Sequence, residues 1–400
     1  MKIIILTVGE PPLYDSLQRL HRSGILAHKL SNNHIVQYWS SNFFHQQKKF
    51  IKTGKYQINK NLSFISFPSI GYKKNISIMR YIDQFIFGFQ IFFKLINNRN
   101  NIDLILVSLP TCDLAFFVSL FSKIFNKKYI VDVRDMWPDI FWLKFNNKKI
   151  LSFMIKIFSL PQLFFRNFSL KNANAITSIT KEFLDWSLMH KKNSKNTLSN
   201  YFYLSPNNKF INNIKKDNDN KINICFFGVI SYSKFDFETL FKFLKSSNAK
   251  IKDFYFHICG DGDDLEKIKI DSLPFKNVKI YGYLNNKELL KIACISQFGL
   301  ANYIPTIDFK MSIPNKIIEY LSYNLKIIYS LDGSTKNLLN QNNIGHYYKA
   351  RDIDSLSSTL LNLNCNDTQK IYYNFYKKYF DKENIYNSFC KFIESVNEKK

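Results

Sequence analysis

Apolar residues in this chain recur with two different periods. Met1–Val8 (MKIIILTV) is an unbroken, largely β-branched run, the pattern of a parallel strand buried on both faces. Similar short runs at His34–Trp39, Leu62–Phe67, Asp103–Ser108, Lys128–Val133 and Ala175–Ile179 predict further strands. Between them, apolar positions three and four apart predict helices near Asp15–Leu30 and over Arg80–Ile96, Thr111–Phe125, Lys148–Leu170 and Lys181–His190. Lys191–Lys221, rich in Asn, Lys and Ser, loses the period and reads as a crossing between domains. The alternation then restarts. Strands are predicted at Lys221–Phe227, Phe254–Cys259, Val278–Tyr281, Phe298–Ala301 and Lys326–Tyr329, with helices at Phe235–Ser246, Asp263–Ile270, Asn286–Ile292, Pro314–Ser322 and Asp352–Leu361. The tail from Gln369 reads as helical and amphipathic.

Strands that alternate with helices imply an α/β class with parallel sheets. A length of 400 residues suits two domains of about 200 residues each. The expected division is residues 1–195, a linker over 196–221, a second domain over 222–368, and C-terminal helices over 369–400. Two doubly wound, Rossmann-like domains would face each other across a cleft. Ligands of such sheets bind beyond the strand C-termini, which directs attention to the loops after Val8, Val133, Phe227, Cys259, Tyr281 and Ala301.

Charge adds an asymmetry. Residues 1–200 hold 28 Lys/Arg against 10 Asp/Glu, and residues 201–400 hold 28 against 21. The first half is therefore expected to meet something acidic: phosphate, anionic lipid or nucleic acid. A composition rich in Lys, Asn, Ile, Phe and Tyr accounts for part of the total. The six cysteines show no C-x-x-C pair and no metal-ligand spacing with histidine, so buried free thiols and no metal are expected. The first segment lacks the features of a signal peptide, and Leu104–Phe125 and Ile150–Leu170 are broken by Pro, Asp, Lys or Arg, so neither reads as a membrane span. A cytoplasmic protein is expected. The apolar, basic stretch Lys148–Leu170 reads either as a buried core helix or as a surface resting on anionic lipid.

Two segments carry candidate chemistry. In Phe226–Lys234 (FFGVISYSK) a strand ends in Gly228, and Lys234 precedes a helix start, a place where backbone and cation can approach a phosphate. In Ser312–Leu321 (SIPNKIIEYL) Pro314 opens a helix, and Lys316 and Glu319, three apart, share one face. A cation for a diphosphate and a carboxylate for ribose hydroxyls are what a nucleoside diphosphate requires. Taken singly, the first segment reads equally as an ordinary strand–helix turn and the second as a surface ion pair.

In order and spacing, Gly228, Lys234, Pro314, Lys316 and Glu319 resemble the donor-binding half of the GT-B glycosyltransferases, family 4 in particular. The Gly260-Asp261-Gly262 turn and the Gly282-Tyr283-Leu284 loop match that family's following loops. The N-terminal half is similar to bacterial O-antigen and capsule transferases of the N-acetylfucosaminyl-transferase type, on Gly9-Glu10-Pro11, Arg22–Leu26, Trp39–His45 and Asp132–Asp139. The resemblance implies transfer of a sugar from a nucleoside-diphosphate sugar, UDP-linked by preference, to a lipid-linked or growing surface glycan. It implies retention of configuration, no cofactor beyond the donor co-substrate, no nucleic acid, and a C-terminal helix crossing back to the first domain. The donor site would comprise Gly228, Lys234, Gly260, Tyr283, Pro314, Asn315, Lys316 and Glu319. Gly9, Glu10, Arg22 and Trp137 would meet the acceptor, with Arg19 a further candidate beside Arg22. Asp135, His45 and Arg134 are the candidate catalytic residues, with Asp139 an alternative to Asp135 and a structural Arg134–Asp135 ion pair the alternative for Arg134.

The pattern also departs from the family. The acid expected eight residues before Glu319 is Met311, with Asp308 nearby. Val229 replaces the Arg that often follows the first-loop Gly, and Gly9-Glu10 replaces a Gly-Gly pair. Asp261-Gly262-Asp263 has the spacing of a metal-binding D-x-D, but in a glycine turn of the other fold, so no metal role is assigned. Other readings of the chain are a nucleotide-sugar 2-epimerase on the same fold and a non-catalytic basic binding protein.

Overall fold

The computed structural model describes residues 1–15, 20–74, 77–145, 147–191, 197–206, 210–211, 221–246, 249–363 and 369–398. The chain forms two compact units, Met1–Tyr203 with Glu383–Lys400, and Leu204–Lys382.

In the first unit the strands are β1 (Lys2–Leu6), β2 (Ile35–Ser41), β3 (Phe43–Phe44), β4 (Lys49–Phe50), β5 (Gly54–Asn59), β6 (Leu62–Phe67), β7 (Leu104–Leu109), β8 (Lys128–Val133), β9 (Ala175–Ser178) and β10 (Leu198–Tyr201). Eight of them make one sheet in the order β10-β9-β8-β7-β1-β2-β6-β5. All neighbours are parallel except β5, which runs antiparallel to β6. Central β1 pairs Ile4 with Gln37 on one side and Ile105 on the other, and its apolar run is buried on both faces, as expected of a covered parallel strand. β3 and β4 form a separate antiparallel ribbon. The second unit holds β11 (Ile222–Phe227), β12 (Phe254–Cys259), β13 (Val278–Gly282), β14 (Phe298–Ala301), β15 (Lys326–Tyr329) and β16 (His346–Tyr347) in one all-parallel sheet, ordered β13-β12-β11-β14-β15-β16.

The structure departs from the sequence pattern in several places. Leu198–Tyr201, inside the expected linker, is an edge strand paired with Ala175–Ser178, so the first unit runs to Tyr203. Most of the rest of that linker, and Arg19, lie outside the described residues. The expected helix Lys148–Leu170 is two helices, Lys149–Phe158 and Leu160–Asn172, broken at Ser159, with Pro161 in the first turn of the second. Helices at Ile307–Met311 and Ser334–Gln341 were not expected; both are too short to show a period. Finally, the two C-terminal helices part company. Gln369–Tyr379 belongs to the second unit, where Phe210 packs on Tyr373 and Tyr376 and Tyr372 accepts the Gly345 amide.

Lys382–Glu398, in contrast, completes the first unit's core. Phe389 stacks on Phe202 at 4.5 Å, and Ile385, Tyr386, Ile393 and Val396 join Ile3, Leu26, Leu30 and Phe64. Lys128 Nζ caps this helix by donating to the Val396 and Asn397 carbonyls. His34 lies 2.8 Å from Glu394, and Lys29 contacts Glu383.

Candidate functional site

Each sheet reverses its winding at one point, between β1 and β7 in the first unit and between β11 and β14 in the second. In open α/β sheets the crevice at that reversal is where ligands bind.

In the second unit, three glycines end β11, β12 and β13. Gly228 and Gly260 have φ of +140° and +150°, and Gly282 has +71°. The Gly228 amide donates to Cys259, and the Gly260 amide to Gly282. A Cβ on Gly260 would sit 1.7 Å from the Gly228 carbonyl oxygen, and one on Gly262 would sit 2.3 Å from that of Ile230. These glycines let the first two loops press together, so Gly260 has a packing role whatever it contacts. Asp261 sits in that turn with its carboxylate on the Gly262 amide, and among the described residues no cluster of His, Cys, Asp and Glu is suited to a metal.

Lys316 lies in the first turn of the helix Asn315–Ser322, after buried Pro314. Its side chain runs back to Gly228, with Cε and Nζ each 3.2 Å from where a Cβ there would stand. The ammonium sits in an aromatic box, 3.1 Å from the Phe226 ring centre, 3.8 Å from Phe235 and 5.6 Å from Tyr303. It is 5% exposed, and Nζ has no hydrogen-bond partner among the described residues. Burial pushes its pKa well below the ordinary ammonium range, and the Glu319 carboxylate offsets only part of that. A buried ammonium with no hydrogen-bond acceptor is an incomplete arrangement, and an anion would complete it.

Other buried polar atoms without partners follow the neighbouring strands. Asn302, directly after β14 and 1% exposed, has neither amide atom bonded; Thr306 Oγ1 in the same loop and Ser334 Oγ in the loop after β15 are alike. Ser330 ties the two loops by donating to the Tyr303 carbonyl, and the Asp236 amide donates to the Asn302 carbonyl. No motif marks Asn302, Thr306 or Ser334; Asn302 directly follows β14, Thr306 ends the same loop, and Ser334 opens the helix Ser334–Gln341 after β15. The remaining expected donor residues sit further out. Lys234, Asn315 and Tyr283 are exposed, and Glu319 is half-buried one helical turn from Lys316. Met311 ends the short helix Ile307–Met311, which has Asp308 in its first turn.

In the first unit the structure corrects several expectations. Arg22 is buried, pairs with Asp132 at 3.1 Å, donates to the Phe202 and Ser178 carbonyls, and has its guanidinium 4.6 Å from the Phe389 ring. It is enclosed by the fold and has no face for an acceptor. Arg134 bridges Asp132 at 2.8 Å and Glu10 at 2.6 Å, and donates to Ser23. Glu10 also accepts from Ser23 and Tyr38. Burial would raise Asp132, but the two guanidiniums outweigh it and hold the carboxyl below the usual range. Glu10 and Arg134 thus belong to a buried ion network that joins the loop after β1 to the end of β8. Arg134 is thus ion-paired, to Asp132 and to Glu10. Asp139 is likewise paired, at 2.5 Å to Arg166 and 3.0 Å to the Trp186 indole nitrogen.

His45 sits against Gly9, whose absent side chain leaves 2.7 Å to the His45 Cβ. Its Nδ1 is 3.1 Å from Lys48 Nζ and 2.7 Å from the Tyr72 hydroxyl. An ammonium can only donate, so Nδ1 accepts and the ring proton resides on Nε2. Burial, then Lys48 and Arg80, push its pKa down to about 4. The Nδ1 face of His45 is thus occupied by Lys48 and Tyr72. Asp135 is half-buried, accepts the Met136 amide with one oxygen, and lies within electrostatic reach of Arg80. Trp137 packs between Phe141 at 4.6 Å and the Arg80 guanidinium at 4.3 Å.

No protein-family model matches this chain, and no curated protein matches it in sequence. Solved structures do match its fold. Sucrose-phosphate synthase from Thermosynechococcus elongatus aligns over 100% of both chains at 12% identity, with a TM-score of 0.71. The apo lipopolysaccharide outer core galactosyltransferase WaaB aligns over 99% of both chains at 12% identity and TM-score 0.63. Anabaena Alr3699/HepE, in complex with UDP, aligns over 99% of this chain and 100% of its own at 13% identity and TM-score 0.63. The chain is thus similar along its whole length to these proteins and has their GT-B fold, two parallel-sheet, Rossmann-like units in sequence.

Proposed function

We propose that this protein is a glycosyltransferase that takes a sugar from a UDP-linked donor and adds it, with retention, to a lipid-linked or growing bacterial surface polysaccharide. The observation that carries this reading is the buried Lys316 ammonium, unbonded and boxed by rings at the sheet reversal beside Gly228. HepE, similar in fold, is a protein solved with UDP and with UDP-glucose, and WaaB is a lipopolysaccharide galactosyltransferase, which supports the donor and acceptor classes.

In this reading the diphosphate lies beside the Gly228 backbone within reach of Lys316, and Glu319 accepts from the ribose hydroxyls. As the glycosidic bond breaks, negative charge grows on the leaving diphosphate. An ammonium that is already desolvated and fixed stabilises that charge without reorganising. Lys234, exposed on the preceding turn, adds a second cation to the open side. Tyr283 borders the base, and Asn302, Thr306 and Ser334 supply hydrogen bonds to phosphate or sugar hydroxyls where the family's acid is replaced by Met311. On the acceptor side, Asp135 positions the incoming hydroxyl beside Trp137. The buried thiols Cys112 and Cys259 support a reducing, cytoplasmic setting for the reaction.

The test is titration calorimetry with UDP, GDP and ADP on the wild type, Lys316→Ala and Glu319→Ala. The reading expects one nucleotide, UDP, to bind the wild type and to lose at least tenfold in affinity in each variant. Absence of binding by any nucleotide to the wild type would sink it. Conversion of a UDP-sugar to its epimer with no acceptor present would replace transfer by epimerisation.

A further inference from the structure

The strongest unexplained feature lies on the first unit. The helix Lys149–Phe158 (KILSFMIKIF) has no buried residue, although its composition is that of a core helix. Ile150 and Phe158 are 81% and 80% exposed, and Phe153 is 65% exposed. The helix Ile78–Asn98 adds a second apolar face. Its inner residues Phe87, Gly88 and Ile91 pack on the unit, while Ile78, Ile86 and Phe93 on the outside face solvent. Phe85 of this second helix lies 6.2 Å from Phe165, in the helix that directly follows Lys149–Phe158 in the chain. Together they exceed the isolated apolar residues normal on a water-soluble surface.

The charges around this face have one sign. No Asp or Glu occurs between Asp139 and Glu182, whereas Lys144, Lys148, Lys149 and Lys156 lie in or beside the exposed helix, all four exposed themselves. A second copy docking through the same face would bring those lysines against their own equivalents, an unfavourable like-charge contact. An anionic bilayer satisfies both features at once: the apolar side chains enter the acyl boundary, and the lysines reach the phosphates. Neither helix is long and apolar enough to cross a membrane, as is true of every helix among the described residues, so the geometry is that of lying on a surface.

We infer that the outer faces of Lys149–Phe158 and Ile78–Asn98 form a monotopic docking surface for an anionic phospholipid bilayer. The inference goes beyond sugar transfer and does not depend on it, since lipid binding needs no nucleotide.

Sedimentation of the full chain with phosphatidylglycerol/phosphatidylcholine vesicles tests this, with pure phosphatidylcholine vesicles and light scattering alongside. The wild type co-sediments with the anionic vesicles and at least tenfold less with neutral ones. Ile150→Glu/Phe153→Glu, at exposed positions where folding is not at stake, leaves the protein in the supernatant. Lys148→Ala and Lys156→Ala each lower partitioning about fivefold. The inference is overturned if the wild type stays soluble with anionic vesicles, if the double variant binds them as the wild type does, or if the chain is a dimer that Ile150→Glu/Phe153→Glu splits without any vesicle binding.

Discussion

At the scale of single residues, the site is written in atoms that lack partners. Lys316 destabilises the free protein, because unfolding returns its ammonium to water. Between its depressed folded pKa and the ordinary lysine value the unfolded chain binds more protons, so this group's effect makes stability rise with pH there. Lys316→Met is expected to stabilise the free protein by about 1–3 kcal/mol in urea unfolding while nucleotide affinity falls in calorimetry; a loss of both would mark Lys316 as structural. His45 titrates with a definite sign too. Its folded pKa of about 4 lies below the unfolded value near 6.5, so the unfolded state takes up the proton first and stability falls as pH drops through that window. After allowing for its partial exposure, about 2 kcal/mol should be lost between pH 7 and pH 4. His45→Gln should flatten that slope, as read by urea midpoints at the two pH values. The sequence made Lys316 legible because Pro314, Lys316 and Glu319 fall at fixed helical spacing. It hid the partners of Arg22 and Arg134, since Asp132 and Glu10 meet them only when distant strands align, and a buried arginine looks the same in sequence as a free one.

At the scale of elements, segments with a continuous apolar run were readable and those without one were not. The strands Leu62–Phe67, Lys128–Val133, Phe254–Cys259, Phe298–Ala301 and Lys326–Tyr329 stand where their apolar runs place them. Leu198–Tyr201 did not announce itself, because an edge strand of half-exposed polar residues carries no two-sided apolar pattern. The loops depend on glycine for a reason only the fold supplies. Gly260→Ala would force a methyl to within 1.7 Å of the Gly228 oxygen at a φ of +150°. It is expected to cost about 3 kcal/mol or more and to displace the Gly228 loop. Urea unfolding and UDP titration of the variant check this together; a change within 0.5 kcal/mol would show that the loops separate easily. Phe389→Ala, which removes a ring stacked on Phe202, should cost about 3–5 kcal/mol by the same measurement.

At the scale of the whole molecule, the two units should respond differently to ligand. If UDP binds only beside Lys316, saturation at 100 times Kd adds about 2.7 kcal/mol to the second unit alone. Differential scanning calorimetry should then show one transition moving upward with UDP and the other unmoved. Two transitions moving together would mean that the units unfold as one. The division itself was only partly visible beforehand. The restart of strand–helix alternation at Lys221 signalled a second domain, but nothing in the amphipathic tail said that Gln369–Tyr379 stays with one unit while Lys382–Glu398 joins the other. That arrangement sets an order on synthesis. Residues 1–203 leave the ribosome long before Phe389, Ile393 and Val396, which the same core requires. During translation of the entire second unit, the first must wait with Phe202, Leu26 and Leu30 uncovered and the Arg22 guanidinium missing its aromatic neighbour. A nascent chain stalled before Glu383 would thus be open to chaperones and proteases at its oldest residues, and release of residues 383–400 would close it.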